Sequence, residues 1–457
     1  NKFLIFLILL IGCSNNHKEY TIEEFMDITS FGGSSFSYDE KSVLIRSNES
    51  GINNAFEIDL STLKSQQLTF SDSNSISPIS YFPNDKRFLF RSDQGGNEIW
   101  HIYLFNVDGT TIDLTPGKQS RSLFLKWAND KKSFFYTSNK RNPKFMDLYE
   151  MSIDSFKSTL VFKNDDALNI GDVSKNKKYL VLSKTYTRDN SDVYLYDFDS
   201  KNLKKILFKE SDVNHSPSGF STNSENLYFV TDYDSEFRYL KKYIIKSGKV
   251  ELVQKEDWDI VANYFSESGK YRITAINNDS QTEIKILDTI NGKHLKLPRM
   301  PRGNISSVNI SKSESLITFY HGSSQNPVNL YCYKVGSLKP IRLTSSMNPL
   351  IDQKHLGKAQ IVRFNSLDGL EVPAIYYKPP QASRSNKVPA IVRVHGGPGG
   401  QARVGYRAST QYLVNNGYAV LDINNRGSSG YGKTFQTLDD QAHGKGDLDD
   451  CVAAIDW

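Results

Sequence analysis

The sequence predicts an all-β propeller of seven blades over residues 20–350, followed over residues 356–457 by the truncated, opening part of an α/β domain. Three observations predict this fold: a β-rich motif repeated at a nearly constant spacing, turn-forming residues inside the copies, and a change of pattern after Pro349. A chain of 457 residues is also too long for one ordinary hydrophobic core, so more than one domain is expected.

The repeated motif consists of an aromatic or aliphatic residue, a short polar turn and a β-rich run, as in FSYDEKSVLIRS from Phe36 onward. Successive copies start 45 or 47 residues apart. The starts are Phe36, Tyr81, Lys126, Val173, Phe220, Phe265 and Ile310. A β-rich repeat of this length is typical of a propeller blade, in which four short strands form one sheet.

The copies also contain the chemistry of a β-hairpin. Asn84-Asp85 and Asn129-Asp130 are turn formers that separate two β-rich runs. Runs such as residues 99–105 are apolar on both faces, and such strands are covered on both faces when blades stack radially. A β-solenoid usually has shorter repeats, and a pair of β-sandwiches lacks so constant a period, so the propeller is favoured.

After Pro349 the pattern becomes that of an α/β domain. It predicts a hairpin over residues 361–377, a buried strand over 388–394, a helix over 408–416 and a strand over 418–423. Gly417 is predicted to supply the left-handed residue that ends the helix. A final helix is predicted to open with the acids Asp447, Asp449 and Asp450 and to place its larger side chains on one apolar face; these are Leu448, Cys451, Val452 and Ile455.

The stretch His395-Gly396-Gly397-Pro398-Gly399-Gly400 follows the buried strand directly. Backbone N–H groups in such a turn can point at a developing oxyanion, and glycine lets a substrate carbonyl approach closely. Hydrolases of the α/β type place one oxyanion donor in a loop of this kind. The sequence therefore predicts that Gly397 and Gly396 contribute to an oxyanion hole.

A propeller followed by strand, HGGP, helix, strand, NNRGSSGYG and helix resembles the prolyl oligopeptidase family of serine peptidases, most of all its acylaminoacyl-peptidase and dipeptidyl-peptidase branches. The resemblance covers residues 31–457, and its specific motifs lie in roughly the last 70 residues. It implies that Gly397, the second glycine of HGGP, donates an oxyanion-hole N–H. It also implies that residues 426–432 shape the wall beside the site.

The nucleophile of this family lies in a G-x-S-x-G turn, with the aspartate and histidine later in the chain. No G-x-S-x-G occurs in the sequence, and residues 427–431 do not match it because Tyr431 occupies the fifth position. We therefore expect no catalytic residue in this chain, and expect the triad serine, aspartate and histidine to lie beyond Trp457. The fragment itself is predicted to be inactive.

Four residues are candidates for the substrate pocket: His395, Tyr431, Arg426 and Glu236. Each also has a structural interpretation. His395 can orient the glycine turn, Tyr431 can pack its ring, and Arg426 can tie its loop together. The resemblance implies that a propeller glutamate such as Glu236 could hold a substrate amine, whereas a surface salt bridge is the alternative.

Residues 3–11 are almost purely apolar and precede Gly12-Cys13. This run is too short for a transmembrane helix but suits a signal peptide. Because residues 10–13 resemble a bacterial lipobox, we predict a lipoprotein signal over residues 1–13, lipid attachment at Cys13 and export to the periplasmic or cell-surface side. The alternative is a plain secretory signal. The absence of an initiator Met suggests that the sequence is clipped at this end as well.

Composition excludes several other classes of partner. The net charge is +5 and the basic residues are scattered, which argues against a nucleic-acid surface. Cys13, Cys332 and Cys451 are too far apart for a metal or disulfide pattern, so no metal, disulfide or cofactor is expected. The oligomeric state is left open.

The sequence as a whole indicates an exported serine peptidase that hydrolyses short peptides through an acyl-enzyme. The alternative from another class is a non-catalytic propeller lipoprotein that binds partner proteins, similar to TolB. An esterase on the same scaffold is a third interpretation.

Overall fold

The computed structural model describes residues 17–207, 212–397 and 399–457. The predicted signal segment 1–13 and the lipid-attachment residue Cys13 lie outside this range.

Seven antiparallel sheets follow one another along the described residues from 31 to 342, each built from consecutive strands. Sheets 1 and 2 comprise β1 (Phe31–Phe36), β2 (Ser42–Ser47), β3 (Asn54–Asp59) and β4 (Ser65–Gln67), then β5 (Ser77–Tyr81), β6 (Phe88–Ser92), β7 (His101–Phe105) and β8 (Thr111–Asp113). Sheets 3 and 4 comprise β9 (Ser122–Trp127), β10 (Ser133–Asn142), β11 (Phe145–Ser152) and β12 (Ser158–Phe162), then β13 (Asn169–Val173), β14 (Tyr179–Thr187), β15 (Asn190–Asp197) and β16 (Asn202–Leu207). Sheets 5 and 6 comprise β17 (His215–Phe220), β18 (Asn226–Thr231), β19 (Tyr239–Ile244) and β20 (Val250–Gln254), then β21 (Asp259–Phe265), β22 (Tyr271–Asn278) and β23 (Gln281–Asp288). Sheet 7 comprises β24 (Asn304–Ile310), β25 (Leu316–Ser323), β26 (Asn326–Lys334) and β27 (Ile341–Arg342).

Each sheet buries its faces against its neighbours. Phe82 and Leu89 of sheet 2 share one hydrophobic cluster with Phe134 and Tyr136 of sheet 3. The array closes on itself, because Val43 and Ile45 of sheet 1 pack with Tyr320 and Leu330 of sheet 7. This closure joins side chains from the two ends of the array and involves no shared strand. The predicted propeller fold is confirmed.

The predicted turns occur where the sequence places them. Lys131, Lys177 and Gly269 each donate a backbone N–H to the carbonyl oxygen three residues earlier, and they have φ values of 58°, 57° and 87°. These left-handed residues reverse the chain between the first and second strands of their sheets. The first strands of the seven sheets therefore all begin at one end of the propeller and finish at the opposite end.

The propeller begins later than predicted. Helix α1 (Ile22–Met26) and Tyr20 pack against Ile351, Leu356 and the α/β part instead of against sheet 1. The physical reason is the apolar pair Tyr20 and Phe25, which are 3% and 0% exposed in that cluster. Residue 20 therefore belongs with the α/β part, and the first propeller strand starts at Phe31.

The α/β part contains one four-stranded sheet in the order β28-β29-β31-β30. Its elements are the 3₁₀ turn Gln353–His355, β28 (Ala359–Asn365), β29 (Glu371–Tyr377), β30 (Ala390–Val394), α2 (Ala408–Asn415), β31 (Ala419–Ile423), α3 (Lys433–Thr437) and α4 (Gly446–Asp456). Strands β30 and β31 are parallel, and within the described residues β30 is paired along one edge only. Gly417 has a φ of 86° and ends α2 as predicted.

The predicted apolar face of α4 is largely exposed, since Leu448 is 57% and Ile455 74% accessible. The helix instead buries Ala453, Ala454 and the fully buried Asp450. Small residues allow close docking on the sheet, and Asp450 is drawn inward by Arg426. No helix in the described ranges has both the length and the apolar character needed to cross a bilayer.

Candidate active site

The glycine loop (residues 395–397, 399 and 400) begins where β30 ends and leads toward α2. Gly396 and Gly397 are exposed, and Gly397 has a φ of 101°, which favours glycine. No oxygen of the described residues accepts a hydrogen bond from the backbone N–H of either glycine. Two exposed, unpaired amides on such a turn are chemically suited to hold an oxyanion.

The loop is tight at Gly400. A Cβ atom on this residue would lie 2.6 Å from the carbonyl oxygen of Gly396 and 2.9 Å from Nδ1 of His395. A larger residue would therefore force the turn open. The carbonyl oxygen of Gly400 also accepts a hydrogen bond from the N–H of Ser429 at 3.0 Å, which fixes the end of the loop.

His395 orients this loop in its neutral form. Its Nε2 lies 2.9 Å from Oγ of Ser428, and that hydroxyl donates to the carbonyl oxygen of Asn425 at 2.5 Å. Since the hydroxyl proton is committed to Asn425, the Ser428 oxygen accepts from the Nε2–H of His395. Burial lowers the pKa of His395 below its ordinary value, so the imidazole is uncharged at neutral pH.

Ser428 and His395 are close enough to be mistaken for a catalytic pair. Ser428 is 0% exposed, however, and its proton goes to a backbone carbonyl instead of to the imidazole. A nucleophilic serine needs an accessible oxygen and a base that takes its proton. The pair therefore braces the loop and supplies no nucleophile.

A second loop, the NNRGSSGYG loop (residues 424–432), supports the glycine loop through hydrogen bonds. Asn424 is 0% exposed, and its Oδ1 accepts a hydrogen bond from the N–H of Ala402 at 2.7 Å. Together with Ser428 and Ser429, this asparagine fixes the path of the chain on both sides of the glycines. Sequence reasoning missed these three residues, and the motif itself was the only signal that could have indicated them.

Tyr431 lies between the propeller and the α/β part. Its hydroxyl accepts from Nδ2 of Asn424 at 2.9 Å and shares a hydrogen bond of 2.6 Å with Oγ of Ser280, a propeller residue. Its ring meets that of Trp258 edge to face, with centroids 6.0 Å apart. Burial raises the pKa of Tyr431 above its ordinary value, so the phenol stays protonated. These contacts match the packing interpretation of its ring.

Arg426 ties its loop to α4 and to the β28–β29 turn. Its guanidinium lies 2.7 Å from Oδ1 of Asp450 and 2.8 Å from Oδ2 of Asp368. Hydrogen bonds from Arg426 lower the pKa of Asp368 to about 2. The side chain of Arg426 is only 12% exposed, and both of its ends are occupied by carboxylates. The geometry therefore gives Arg426 a structural position.

Glu236 reaches from a loop of sheet 5 to the first residues of α3. Its carboxylate accepts from the N–H of Thr434 at 2.9 Å and from the Thr434 hydroxyl at 2.6 Å. The hydroxyl contact is the main reason that the pKa of Glu236 lies below its ordinary value. This carboxylate therefore connects the propeller to the α/β part.

Arg188 is a further residue at this boundary that sequence reasoning missed. It lies in the β14–β15 hairpin and donates to the carbonyl oxygen of Gln436 at 2.7 Å and to Oδ1 of Asp440 at 2.5 Å. A Cβ atom on Gly399 would come within 2.6 Å of its Nη1, so the guanidinium lies directly against the glycine loop. No local pattern distinguishes this arginine from others in polar turns.

Of the predicted residues, the structure brings His395, Gly396 and Gly397 together in the glycine loop. Tyr431, Arg426 and Glu236 lie around that loop as fixed contacts between elements. No group of three or more His, Cys, Asp or Glu side chains in the described part of the chain could hold a metal ion. The arrangement can present two N–H donors to an oxyanion.

Comparison with known proteins identifies the family. A family model described as the prolyl oligopeptidase N-terminal beta-propeller domain matches residues 67–342, and the prolyl oligopeptidase family model matches residues 404–457. Dipeptidyl aminopeptidase BIII of Pseudoxanthomonas mexicana is 26% identical over 395 residues, which are 83% of this chain and 56% of that protein. Prolyl endopeptidase of Elizabethkingia miricola is 21% identical over 448 residues, 91% of this chain and 60% of that protein.

The fold is shared with solved structures. That of a Mycobacterium tuberculosis puromycin-hydrolyzing peptidase has a TM-score of 0.77 at 12% identity and covers 95% of this chain and 72% of that chain. The present chain spans 56% and 60% of the lengths of the two curated relatives described above. Because the propeller match alone covers more than half of its 457 residues, the chain belongs to the prolyl oligopeptidase family of serine peptidases.

Proposed function

We propose that this chain forms the propeller and the oxyanion-hole side of an exported serine peptidase whose nucleophile is encoded beyond Trp457. The single observation that carries the proposal is the pair of exposed amides at Gly396 and Gly397, at the end of strand β30, which donate to no oxygen of the described residues. Hydrolases of the α/β type place an oxyanion donor in the corresponding loop between strand and helix.

The free edge of β30 indicates where the nucleophile would lie. Strand β30 is paired with β31 on one side only among the described residues, and α4 presents Leu448, Val452 and Ile455 to solvent. A further strand added beside β30 would extend the sheet, and additional chain would cover these apolar side chains. A turn at the end of that strand would bring a serine beside the glycine loop.

The proposed reaction proceeds through an acyl-enzyme. The serine oxygen bonds to the scissile carbonyl carbon while its proton moves to the triad histidine, which the aspartate orients. The carbonyl oxygen becomes an oxyanion that accepts hydrogen bonds from Gly397 and from the amide after the serine. The C–N bond then breaks as the histidine gives its proton to the amine, and water hydrolyses the remaining ester.

Short peptides are the proposed substrates. The propeller packs over the α/β part through Glu236, Arg188 and Tyr431, so it stands between the glycine loop and large folded proteins. The names of the curated relatives, a dipeptidyl aminopeptidase and a prolyl endopeptidase, support a peptide substrate and leave both exo- and endopeptidase action open.

The test starts from the coding sequence beyond Trp457, which is expected to encode G-x-S-x-G. The longer protein should react with a fluorophosphonate and hydrolyse short peptides, whereas the 457-residue chain should do neither. Labelling of the 457-residue chain, or a downstream sequence without the motif, would contradict the proposal.

A matched pair of variants tests the oxyanion role in the longer protein. Gly397→Ala should lower kcat by about 10²–10³, because a Cβ atom disfavours the positive φ that aims the amide. Gly369→Ala is the control, since it also has a positive φ of 85° and open space for a Cβ atom but lies in the β28–β29 turn. Equal losses in both variants would contradict the assignment.

Two other functions predict different results. A TolB-like binding propeller has no use for a glycine loop with free amides, so it predicts normal partner binding after Gly397→Ala and no fluorophosphonate reaction. An esterase predicts fluorophosphonate labelling with turnover of esters and none of peptides.

Export as a lipoprotein belongs to the same proposal. It is supported by the apolar run at residues 3–11 and by Cys13 in a lipobox-like context. Cells that express the full gene should incorporate labelled palmitate into the protein, and Cys13→Ser should abolish this incorporation. Equal labelling of the two proteins would exclude Cys13 as the attachment site.

A further inference from the structure

The rim of the propeller contains an arginine pocket, which we define by Arg46, Arg91, Gly32, Ser77, Ser122 and Phe124. The cavity has a volume of 440 Å³ and lies where sheets 1, 2 and 3 meet. Neither arginine takes part in the active-site contacts described above.

Arg46 is held in place by the backbone of β1. A Cβ atom on Gly32 would lie 2.8 Å from Nη2 of Arg46, so the guanidinium lies directly against the backbone of this strand. A bulge between Gly32 and Ser35, with Gly33 at a φ of 72°, bends the strand around it. The Nε–H of Arg46 is buried and has no acceptor among the described residues.

Arg91 occupies the equivalent position in the next sheet. Arg46 pairs with Gly32 at the start of β1, and Arg91 pairs with Ser77 at the start of β5. Arg91 is exposed and its guanidinium lies 5.2 Å from the centre of the Trp100 ring. Within the described ranges, neither arginine forms an ion pair with a carboxylate.

The α/β part contacts the same end of the propeller at sheet 6. In sheet 6, the residue of the second strand that pairs with the first residue of the first strand is Asn277, which pairs with Asp259 at the start of β21. Asn277 accepts a hydrogen bond from Arg403 of the α/β part at 2.5 Å. The arginine pocket therefore opens on the face of the propeller that carries the glycine loop.

Two guanidinium groups that line one cavity, with no carboxylate of the described residues paired to them, repel each other and attract an anion. Because a guanidinium presents paired N–H donors that fit the two oxygens of a carboxylate, this group is the ligand that best matches the pocket. The buried Nε–H of Arg46 lacks the acceptor that a carboxylate oxygen would supply.

We propose that the arginine pocket binds a carboxylate of the peptide substrate. The proposal rests on the proposed peptidase function for the identity of the ligand, and on the two arginines for its charge. A C-terminal carboxylate and an acidic side chain offer the same chemistry, and the experiment below distinguishes them.

Binding to the purified 457-residue protein tests the pocket without requiring catalysis. The probes are N-acetyl-Ala-Ala with a free carboxylate, its C-terminal amide, and N-acetyl-Glu-Ala amide, measured by isothermal titration calorimetry at low salt. At least one acidic probe should bind about tenfold more tightly than the neutral amide. Tighter binding of the first indicates a terminal carboxylate, and tighter binding of the third indicates an acidic side chain.

Variants connect this preference to the two arginines. Arg46→Gln and Arg91→Gln should each weaken binding of the acidic probe by about tenfold, which would abolish its preference over the neutral amide. The control is Arg121→Gln, an exposed arginine one residue before Ser122 that does not line the pocket. An unchanged thermal unfolding temperature and circular dichroism spectrum show that a variant has folded. The proposal is overturned if all three probes bind equally, or if the control variant loses the preference as much as the pocket variants do.

The longer protein separates this inference from the proposed function. If the 457-residue chain discriminates acidic probes and the longer protein cleaves nothing, the pocket stands and the peptidase function fails. If the longer protein cleaves peptides with no preference for a carboxylate, and a structure shows its own aspartate or glutamate against Arg46 and Arg91, the pocket is an interdomain contact and the inference fails.

Discussion

Replacing Asp450 with asparagine tests how the NNRGSSGYG loop is anchored. Asp450 is 0% exposed and accepts from the backbone N–H of Arg426 at 2.7 Å, from its Nη2 at 2.7 Å and from Oγ of Ser366 at 2.5 Å. Removing one partner of a buried ion pair typically costs about 3–5 kcal/mol. Because Asp368, whose side chain is 55% exposed, still pairs with Arg426, we expect the lower end of this range, about 3 kcal/mol.

Hydrogen exchange measured by mass spectrometry is the suitable assay, because it reports the stability of individual elements in a chain with two domains. In Asp450→Asn, amides in peptides covering residues 424–432 and 446–456 should exchange about a hundredfold faster at neutral pH. Asp449→Asn is the control, since Asp449 is exposed in the first turn of the same helix and contributes less than about 1 kcal/mol. Equal exchange in the two variants would refute the anchoring role.

Three further predictions concern the boundary between the domains and a buried histidine. Glu236→Gln should lower the unfolding temperature at pH 7, because a carboxylate whose pKa is lowered on folding stabilises the folded state at pH values above its ordinary pKa of 4.5. The difference in unfolding temperature from wild type should shrink as the pH falls below 4.5, and a difference that stays constant with pH would contradict the assignment. Burial lowers the pKa of His215 to about 4, so stability should rise with pH between about 4 and 6.5, and an NMR titration midpoint near 6.5 would contradict its burial. Arg188→Ala should accelerate exchange in peptides covering residues 399–405 and 426–432, with the exposed Arg384→Ala as control; no change would show that Arg188 does not support the glycine loop.

The propeller could be predicted because its signals are local and repeated. Turn residues such as Asn129-Asp130 and the alternation of polar turns with apolar runs determine each hairpin within a few residues. The glycines of the α/β part were equally informative, since the positive φ values of Gly397 and Gly417 are conditions that glycine meets best.

The contacts that build the site could not be predicted, because they join distant parts of the chain. Arg188 and Asp440 are 252 residues apart in sequence, and nothing near either residue indicates the other. Helix α4 shows the same limit: its period predicts which residues share a face, but the face that packs on the sheet is the one with Ala453, Ala454 and the ion pair between Asp450 and Arg426. Tertiary contacts here override the helical pattern.

The boundary of the propeller was misplaced for the same reason. Tyr20 and Phe25 directly precede the first repeat, so the sequence alone groups them with it. Their partners Ile351 and Leu356 lie more than 300 residues later, so no local pattern indicates this contact.

A structure of the longer protein after reaction with a fluorophosphonate tests the central claim most directly. The reagent places an oxygen where the oxyanion of the tetrahedral intermediate would lie. We predict that this oxygen lies roughly 2.7–3.1 Å from the backbone nitrogen of Gly397 and that the phosphorus is bonded to a serine beyond residue 457. An adduct whose oxygen points away from the glycine loop would contradict the account.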